Sequence, residues 1–183
     1  MVILIMGVMV TFASLSMGNR INEDKLENEA RRAEAVFKLA SEEAEAKGLE
    51  IGLRFSEGGY RLLTLDGNRR WQDYELSGPL RRRTFQEPFD LALRVEGRPV
   101  KLPALLTVEE ELALAKSAEL KSARENEAQR IVPQVLLLSS GEATPFELQL
   151  SAPGVAASYW LEADALGRIQ MERRAQNQPR PRS

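Results

Sequence analysis

The chain has 183 residues, of which 43% are hydrophobic and 28% charged, a composition that is ordinary for one soluble domain with an appended segment. Its net charge of −2 provides no basic footprint for nucleic acid. It contains neither cysteine nor histidine, which excludes disulfides, thiolate metal sites and Ser-His or Cys-His catalysis. Any enzymatic activity would have to use carboxylates, lysine or tyrosine.

An uncharged apolar run opens the chain, from Met1 to Gly18, and polar sequence begins at Asn19. As a helix the run covers about 27 Å, slightly less than a bilayer core. A membrane span, a signal peptide and a core helix are the alternatives. A signal peptide needs a basic segment that the run lacks, and a soluble core helix rarely lacks charge over such a length. We predict a transmembrane or filament-core helix over residues 1–18.

The following segment, residues 19–47, continues the helix as an amphipathic one. It contains no proline or glycine, and Gly48 is a typical helix-terminating residue. One helix of about 70 Å is too long for a compact domain of this size, so its first half must project into a membrane or other subunits. Spacings of three and four place one stripe on the helix. The stripe predicted to pack on the sheet is Leu26, Ala30, Ala33, Phe37, Ala40 and Ala44.

The periodicity changes from helix to strand after Gly48. Alternation places Leu49, Ile51, Leu53 and Phe55 on one strand face. Closely spaced strands without helices between them indicate an antiparallel sheet or sandwich over residues 48–174. The fold class is therefore α+β, with a polar tail at 175–183 expected to be disordered. The predicted strands are "LEIGLRF", "YRLLTL", "RRWQDY", "FDLALRVEG", "QVLLLSS", "FELQLS", "ASYWLEAD" and "RIQMER".

A charged insertion interrupts the strands at about 104–132, between Pro103 and Pro133. Thr107 and Glu110 within it have the spacing of a capping box. Two interpretations stay open, a loop with transient helix and a docked helix that binds a partner.

Several side chains in the β region have both a structural and a functional interpretation. Aromatic residues on strands either fill the core, which is the commoner case, or anchor a partner. The basic run Arg81 to Arg83 fits a solvated strand face, an acidic neighbour or lipid headgroups. Asp66 and Asp73 do not form a calcium loop. The aromatic residues in question are Trp71, Tyr74, Tyr159 and Trp160.

Four stretches carry a family resemblance: "ILIMGVMV", "LENEARRAEAVFKLASEEAEAKGLEIGLRF", "GYRLLTLDGNRRWQ" and "PQVLLLSSGEATPFELQL". The chain resembles type IV pilin-like proteins, and more closely the H-type minor pseudopilins of the bacterial type II secretion system. The most specific stretch is Ser139, Ser140, Gly141, Glu142, Thr144, Pro145 and Phe146. Glu142 and Thr144 are either subunit contacts or parts of a structural loop held by Gly141 and Pro145.

The resemblance implies a structural subunit rather than an enzyme, without a cofactor. Its helix would sit in the inner membrane, with the β domain in the periplasm, and would later pack against other pseudopilins near the filament tip. The implied partners are the major and minor pseudopilins and inner-membrane lipid, with no nucleic acid, and methylation is implied as in the family. The implied function is to help move folded exoproteins across the outer membrane. A minor pilin of a type IV pilus and a membrane-anchored β domain that binds a ligand are the alternatives.

The beginning of the chain departs from the family pattern. Pilin precursors carry a basic leader, a Gly-Phe cleavage junction and a nearby glutamate, and the apolar run shows none of these. We therefore expect the run to be the inner part of a pilin helix whose first residues are missing, without a prepilin cleavage site.

Overall fold

The computed structural model describes residues 2–74, 78–85, 89–104 and 132–175, with side chains described from Glu23 onward. The chain opens with one helix, α1 (Val2–Lys47), which is 46 residues long and therefore about 70 Å. It ends where Gly48 adopts a left-handed φ of 65° and the Leu49 amide donates to the Ala44 carbonyl, at 3.0 Å. Among the side chains that are described, no helix carries an apolar stretch long enough to cross a bilayer.

Ten strands follow in the described ranges, and they form two antiparallel sheets. The first sheet has the order β3-β2-β1-β7, with β4 also paired to β2, and the second has the order β10-β9-β8-β5-β6. The strands are β1 (Ile51–Ser56), β2 (Gly59–Leu65), β3 (Trp71–Asp73), β4 (Arg83–Thr84), β5 (Asp90–Val95), β6 (Arg98–Val100), β7 (Val135–Leu137), β8 (Phe146–Ser151), β9 (Ala157–Ala163) and β10 (Ile169–Ala175).

The second half of α1 covers the gap between the two sheets. The Phe37 ring meets Phe55 of β1 and Tyr60 of β2, with ring centroids 5.8 and 5.0 Å apart, and Phe146 of β8 at 6.1 Å. All three contacts are edge-to-face, the geometry that aromatic pairs favour. The core is therefore shared by the helix and both sheets, which confirms the predicted α+β class.

Both flanks of the charged insertion are fixed at the same end of β1. The Glu57 amide donates to the Pro103 carbonyl at 3.0 Å, on the side where the insertion leaves. On the returning side, the Gln134 side chain makes two hydrogen bonds to the backbone of Phe55, at 2.8 and 3.0 Å. The two anchor points, Phe55 in β1 and Glu57 just after it, are therefore two residues, or about 7 Å, apart. Residues 105–131 themselves, with both interpretations of the insertion, lie outside the described residues.

Several strands differ from those predicted. Leu49 lies before β1 and is 37% exposed, because the turn that ends the helix occupies the chain until Ile51. The short strands β4 and β6 were not predicted, since two or three residues are too few for a periodic pattern. β10 includes Ala175, one residue beyond the predicted end of the domain, and 176–183 lie outside the described residues.

Candidate functional site

An apolar seam joins α1 to the β domain. The six stripe residues predicted to face the sheet are all 0% exposed and belong to the hydrophobic core. Four of them are alanines, whose short side chains let the helix backbone lie close to the sheets, while Phe37 fills the space at the centre. We call this set of six residues the helix seam.

Polar contacts border the helix seam on the side of the second sheet. The Arg173 guanidinium of β10 pairs with Glu23, and the Tyr159 hydroxyl of β9 donates to Glu27 at 3.1 Å. Hydrogen bonds from Arg31 and from Tyr159 hold the pKa of Glu27 below its usual range. Burial, together with the bond to Glu27, raises the pKa of Tyr159. At neutral pH the carboxylate and the neutral phenol are therefore the favoured pair.

A second polar border lies on the side of the first sheet. Arg83 of β4 makes a bidentate ion pair with Glu29, and its Nε lies 3.2 Å from the carboxylate. This hydrogen bond raises the pKa of Arg83. Near the end of the helix, the Tyr74 hydroxyl donates to Glu43 at 2.9 Å and accepts from Lys47 at 3.1 Å. Directional bonds on both sides of an apolar seam fix the rotation of the helix and its position along its axis.

The basic run at 81–83 therefore divides between two of its interpretations. Arg81 is exposed, as expected for a solvated position, whereas Arg83 meets an acidic neighbour on the helix. The sequence could not reveal that neighbour, because Glu29 is 54 residues away along the chain.

The loop 138–146 contains the stretch most specific to the family resemblance. Gly141 has a φ of 84°, and Thr144 exchanges hydrogen bonds with Leu136 through its amide, at 2.9 Å, and its hydroxyl, at 3.2 Å. Phe146 is buried among the aromatic rings of the core, and Pro145 accepts a backbone bond from Glu96 at 2.9 Å. These residues support the loop itself. Its outward side chains are those of Ser139, Ser140 and Glu142, and the Ser140 hydroxyl lies 3.4 Å from the Glu142 carboxylate.

This loop packs between the end of α1 and the turn that joins β9 to β10. A Cβ on Gly167 would lie 2.2 Å from the Gly141 carbonyl oxygen, so the two backbones touch directly. A Cβ on Gly141 would in turn lie 3.5 Å from the Glu45 carboxylate of the helix. We call this junction the distal pole: the helix end 41–47, the loop 138–146 and the turn 164–168. Because Glu23 contacts the domain elsewhere, beside β10, the pole lies at the end opposite to where α1 enters.

The four aromatic residues singled out in the sequence do not share one environment. Tyr159 is buried and Tyr74 is partly buried against the core, whereas Trp71 and Trp160 are only partly covered and lie outside the core cluster. Trp160 lies on the outer face of the second sheet, where the Arg174 guanidinium stands 5.0 Å from its ring centroid. Neighbouring residues on a strand point to opposite faces. The position of Trp160 next to the buried Tyr159 could therefore have placed it on the outer face.

The acidic side chains of the described ranges support turns and pairs rather than a metal ion. No group of three or more potential metal ligands occurs in the part of the chain that the structure describes. Asp66 accepts two backbone amides in its own turn, at 2.8 Å each, and Asp73 faces Arg61 at 3.8 Å. In the described part of the chain, these two aspartates therefore serve a turn and an ion pair.

A long helix that packs by its second half on antiparallel sheets defines the pilin-like class, and solved structures share this fold. The minor pseudopilin EpsH from the type 2 secretion system of Vibrio cholerae matches with a TM-score of 0.58 and 20% identity, covering 84% of this chain and 99% of that one. The solution structure of GspH from Escherichia coli matches with a TM-score of 0.55 and 17% identity, covering 85% and 93%.

The relatives by sequence identify the particular family, although no protein-family model matches the chain. The type II secretion system protein H of Pseudomonas aeruginosa is 30% identical over 179 residues, covering 94% of this chain and 92% of the relative. The same protein of Aeromonas hydrophila is 26% identical over 174 residues, covering 93% and 87%. The chain belongs to the type II secretion system protein H family.

The prediction of an H-type minor pseudopilin is therefore confirmed. Its relatives are structural subunits associated with the cell envelope, and they imply assembly with other pseudopilins.

Proposed function

We propose that the chain acts purely as a structural subunit near the tip of the secretion pseudopilus, with no enzymatic activity. Before assembly, the apolar segment 1–18 lies in the inner membrane and the β domain in the periplasm. On assembly, the helix leaves lipid for the filament core, where apolar residues find equally apolar surroundings. The neighbours are the major pseudopilin and the other minor ones, and the assembled filament helps move folded exoproteins across the outer membrane.

This proposal is carried by one observation, the helix seam with ion pairs on both of its sides. Apolar burial alone is non-directional and would let a helix turn or slide against its domain. The pairs Glu23–Arg173 and Glu29–Arg83 oppose both movements, because each requires one position of the helix. A displacement of the helix in the filament then moves the β domain by the same amount, as a subunit that transmits motion requires.

Complementation of a strain that lacks its own H-type subunit tests the proposal. The full chain, preceded by the leader and first helix residues of the H-type subunit that it replaces, should restore secretion of the exoproteins and should fractionate with the inner membrane, with the β domain open to protease from the periplasmic side. The double variant Arg83→Ala, Arg173→Ala should keep the fold and the fractionation but secrete less. Arg94→Ala is the matched control, since that guanidinium bonds only its own hairpin in the contacts seen, at the Gly97 carbonyl (2.7 Å).

Three results would contradict the proposal. If the full chain fails to restore secretion, the proposed function is contradicted. If it appears in the membrane-free fraction without detergent, the proposed membrane anchor is contradicted. Restoration of pilus assembly in a type IV pilus mutant, without restoration of secretion, would favour the pilin alternative.

A further inference from the structure

Two turns of the β domain have the same hydrogen bonds but different residues at the tip. In each, the first aspartate accepts the amides two and four residues later: 2.8 and 2.8 Å for Asp66, and 2.9 and 3.0 Å for Asp164. In each, the fourth residue has a positive φ, 59° at Arg69 and 71° at Gly167. The third residue, at the tip, is Asn68 in the first turn and Leu166 in the second.

The leucine at the tip is not needed by its turn. Asn68 occupies the equivalent position with the same backbone bonds, and polar residues are the usual choice in turns. Leu166 is 66% exposed, more than any other large hydrophobic residue among those with described side chains. Water disfavours such a side chain, and the fold does not explain its presence.

The turn that carries Leu166 is held rigidly. The Arg168 guanidinium pairs with Asp164 at 2.6 Å, and the Ala143 amide donates to the Ala165 carbonyl at 3.3 Å. Gly167 packs directly on the Gly141 carbonyl, which ties the turn to the rest of the distal pole. A side chain presented by a preorganised backbone loses little entropy when a partner covers it.

Two exposed carboxylates share the distal pole with this leucine. Glu45 of the helix lies beside Gly141, the residue on which the turn packs, and Glu142 follows in the loop; both are exposed. The two cations of the distal pole, Arg168 and Lys47, are already matched by Asp164 and Glu43. The distal pole therefore presents an apolar knob with an acidic rim.

We propose that Leu166 anchors a contact with a neighbouring pseudopilin, which receives it in an apolar pocket with a basic rim. This inference rests on the proposed function, in which the membrane-proximal end of α1 lies in the filament core. The distal pole is at the other end of the β domain, and so it faces the subunit next towards the tip. The acidic rim selects a neighbour with basic groups and speeds the encounter, while the leucine supplies the buried contact.

The test uses Leu166→Asn, which introduces the residue found at the equivalent position, Asn68, of the turn at Asp66. The full chain, co-expressed in membranes with the other pseudopilins of the same secretion system, is purified through an affinity tag. The variant should melt at the wild-type temperature but retain about 10- to 100-fold less of one neighbouring pseudopilin. A photo-cross-linking amino acid at position 166 should capture that neighbour, and the same group at position 68 should not.

A second variant examines the rim. Glu45→Gln with Glu142→Gln should weaken the co-purification at low salt and flatten its dependence on ionic strength. Unchanged salt dependence overturns the acidic rim as the selecting feature.

Other outcomes separate the inference from the function on which it rests. The inference is overturned if Leu166→Asn retains as much of the neighbouring pseudopilin as the wild type does, or if position 166 cross-links to lipid or to an exoprotein. If the wild-type chain still restores secretion in that case, its structural role is unaffected. If the wild-type chain neither restores secretion nor retains any pseudopilin, the proposed function and the inference fail together.

Discussion

Replacement of Phe37 by alanine tests whether the helix seam holds the two sheets together. The ring is 0% exposed and meets three other aromatic rings, on β1, β2 and β8. Alanine would leave a cavity where the helix touches both sheets through aromatic contacts. Because its walls belong to three separate strands, the cavity cannot close by the movement of a single neighbour.

The expected loss of stability follows from this geometry. Truncation of a buried phenylalanine costs about 3–5 kcal/mol, and poor collapse of the cavity places this site in the upper part of that range. A domain of this size is stable by about 5–15 kcal/mol, so the variant loses a large share of it. At about 2–4 °C for each kcal/mol, the melting temperature should fall by roughly 10–15 °C.

Urea unfolding of the full chain in mild detergent, followed by tryptophan fluorescence, measures the effect. Leu39→Ala is the matched control on the same helix, since Leu39 is 37% exposed, and it should cost less than about 1 kcal/mol. A Phe37→Ala loss within about 0.5 kcal/mol of wild type would place the ring at the surface and refute the helix seam.

Three further predictions concern the β domain. Deletion of Leu106 to Arg130, bridged by a short Gly-Ser turn, should leave the melting temperature nearly unchanged. Both flanks of the deletion are bonded to the same end of β1, and the entropy of loop closure depends weakly on loop length. Loss of the cooperative melt would contradict this prediction. Burial raises the pKa of Tyr60 to about 12. The stability that the neutral phenol contributes is fully present below pH 10, and up to about 2–3 kcal/mol of it is lost as the pH rises towards 12. Tyr60→Phe should therefore reduce the slope of unfolding free energy against pH in this window. An unchanged slope would assign the pH dependence to other groups. Gly167→Ala should lower the free energy of unfolding more than Gly97→Ala, which carries only a backbone strain of about 1 kcal/mol. The two glycines have similar φ values, 71° and 75°, but of the two only Gly167 would place its new Cβ against a backbone atom. Equal losses of unfolding free energy in the two variants would exclude the clash.

Features with a short sequence range were accessible without the structure. The span without proline or glycine from Asn19 to Lys47, followed by Gly48, predicts a helix that ends where α1 ends. The three- and four-residue spacings around Phe37 mark the face that is buried. The alternation in "FELQLS" likewise matches the alternating burial of β8. Each of these depends on neighbours within a few residues, where backbone geometry dictates which side chains share a face.

The stretch from Ser139 to Phe146 is an intermediate case. Its residues were recognisable as a family feature, but their individual roles were not. That Thr144 ties the loop to β7, while Glu142 points outward, depends on how the chain folds back on Leu136. The sequence left both the structural and the contact interpretation open because either is compatible with the same residue types.

A long helix with one buried face, an antiparallel β domain and membership of a secretion-system family followed from the residue pattern alone. The folded chain was needed to show how the strands divide into two sheets, that Arg83 pairs with Glu29, and that Gly141 touches Gly167. These contacts join residues 26 or more positions apart, and no local periodicity encodes such pairings. The same holds for Leu166, because a lone leucine in a turn has no evident meaning until the equivalent turn at Asp66 shows that the backbone does not require it.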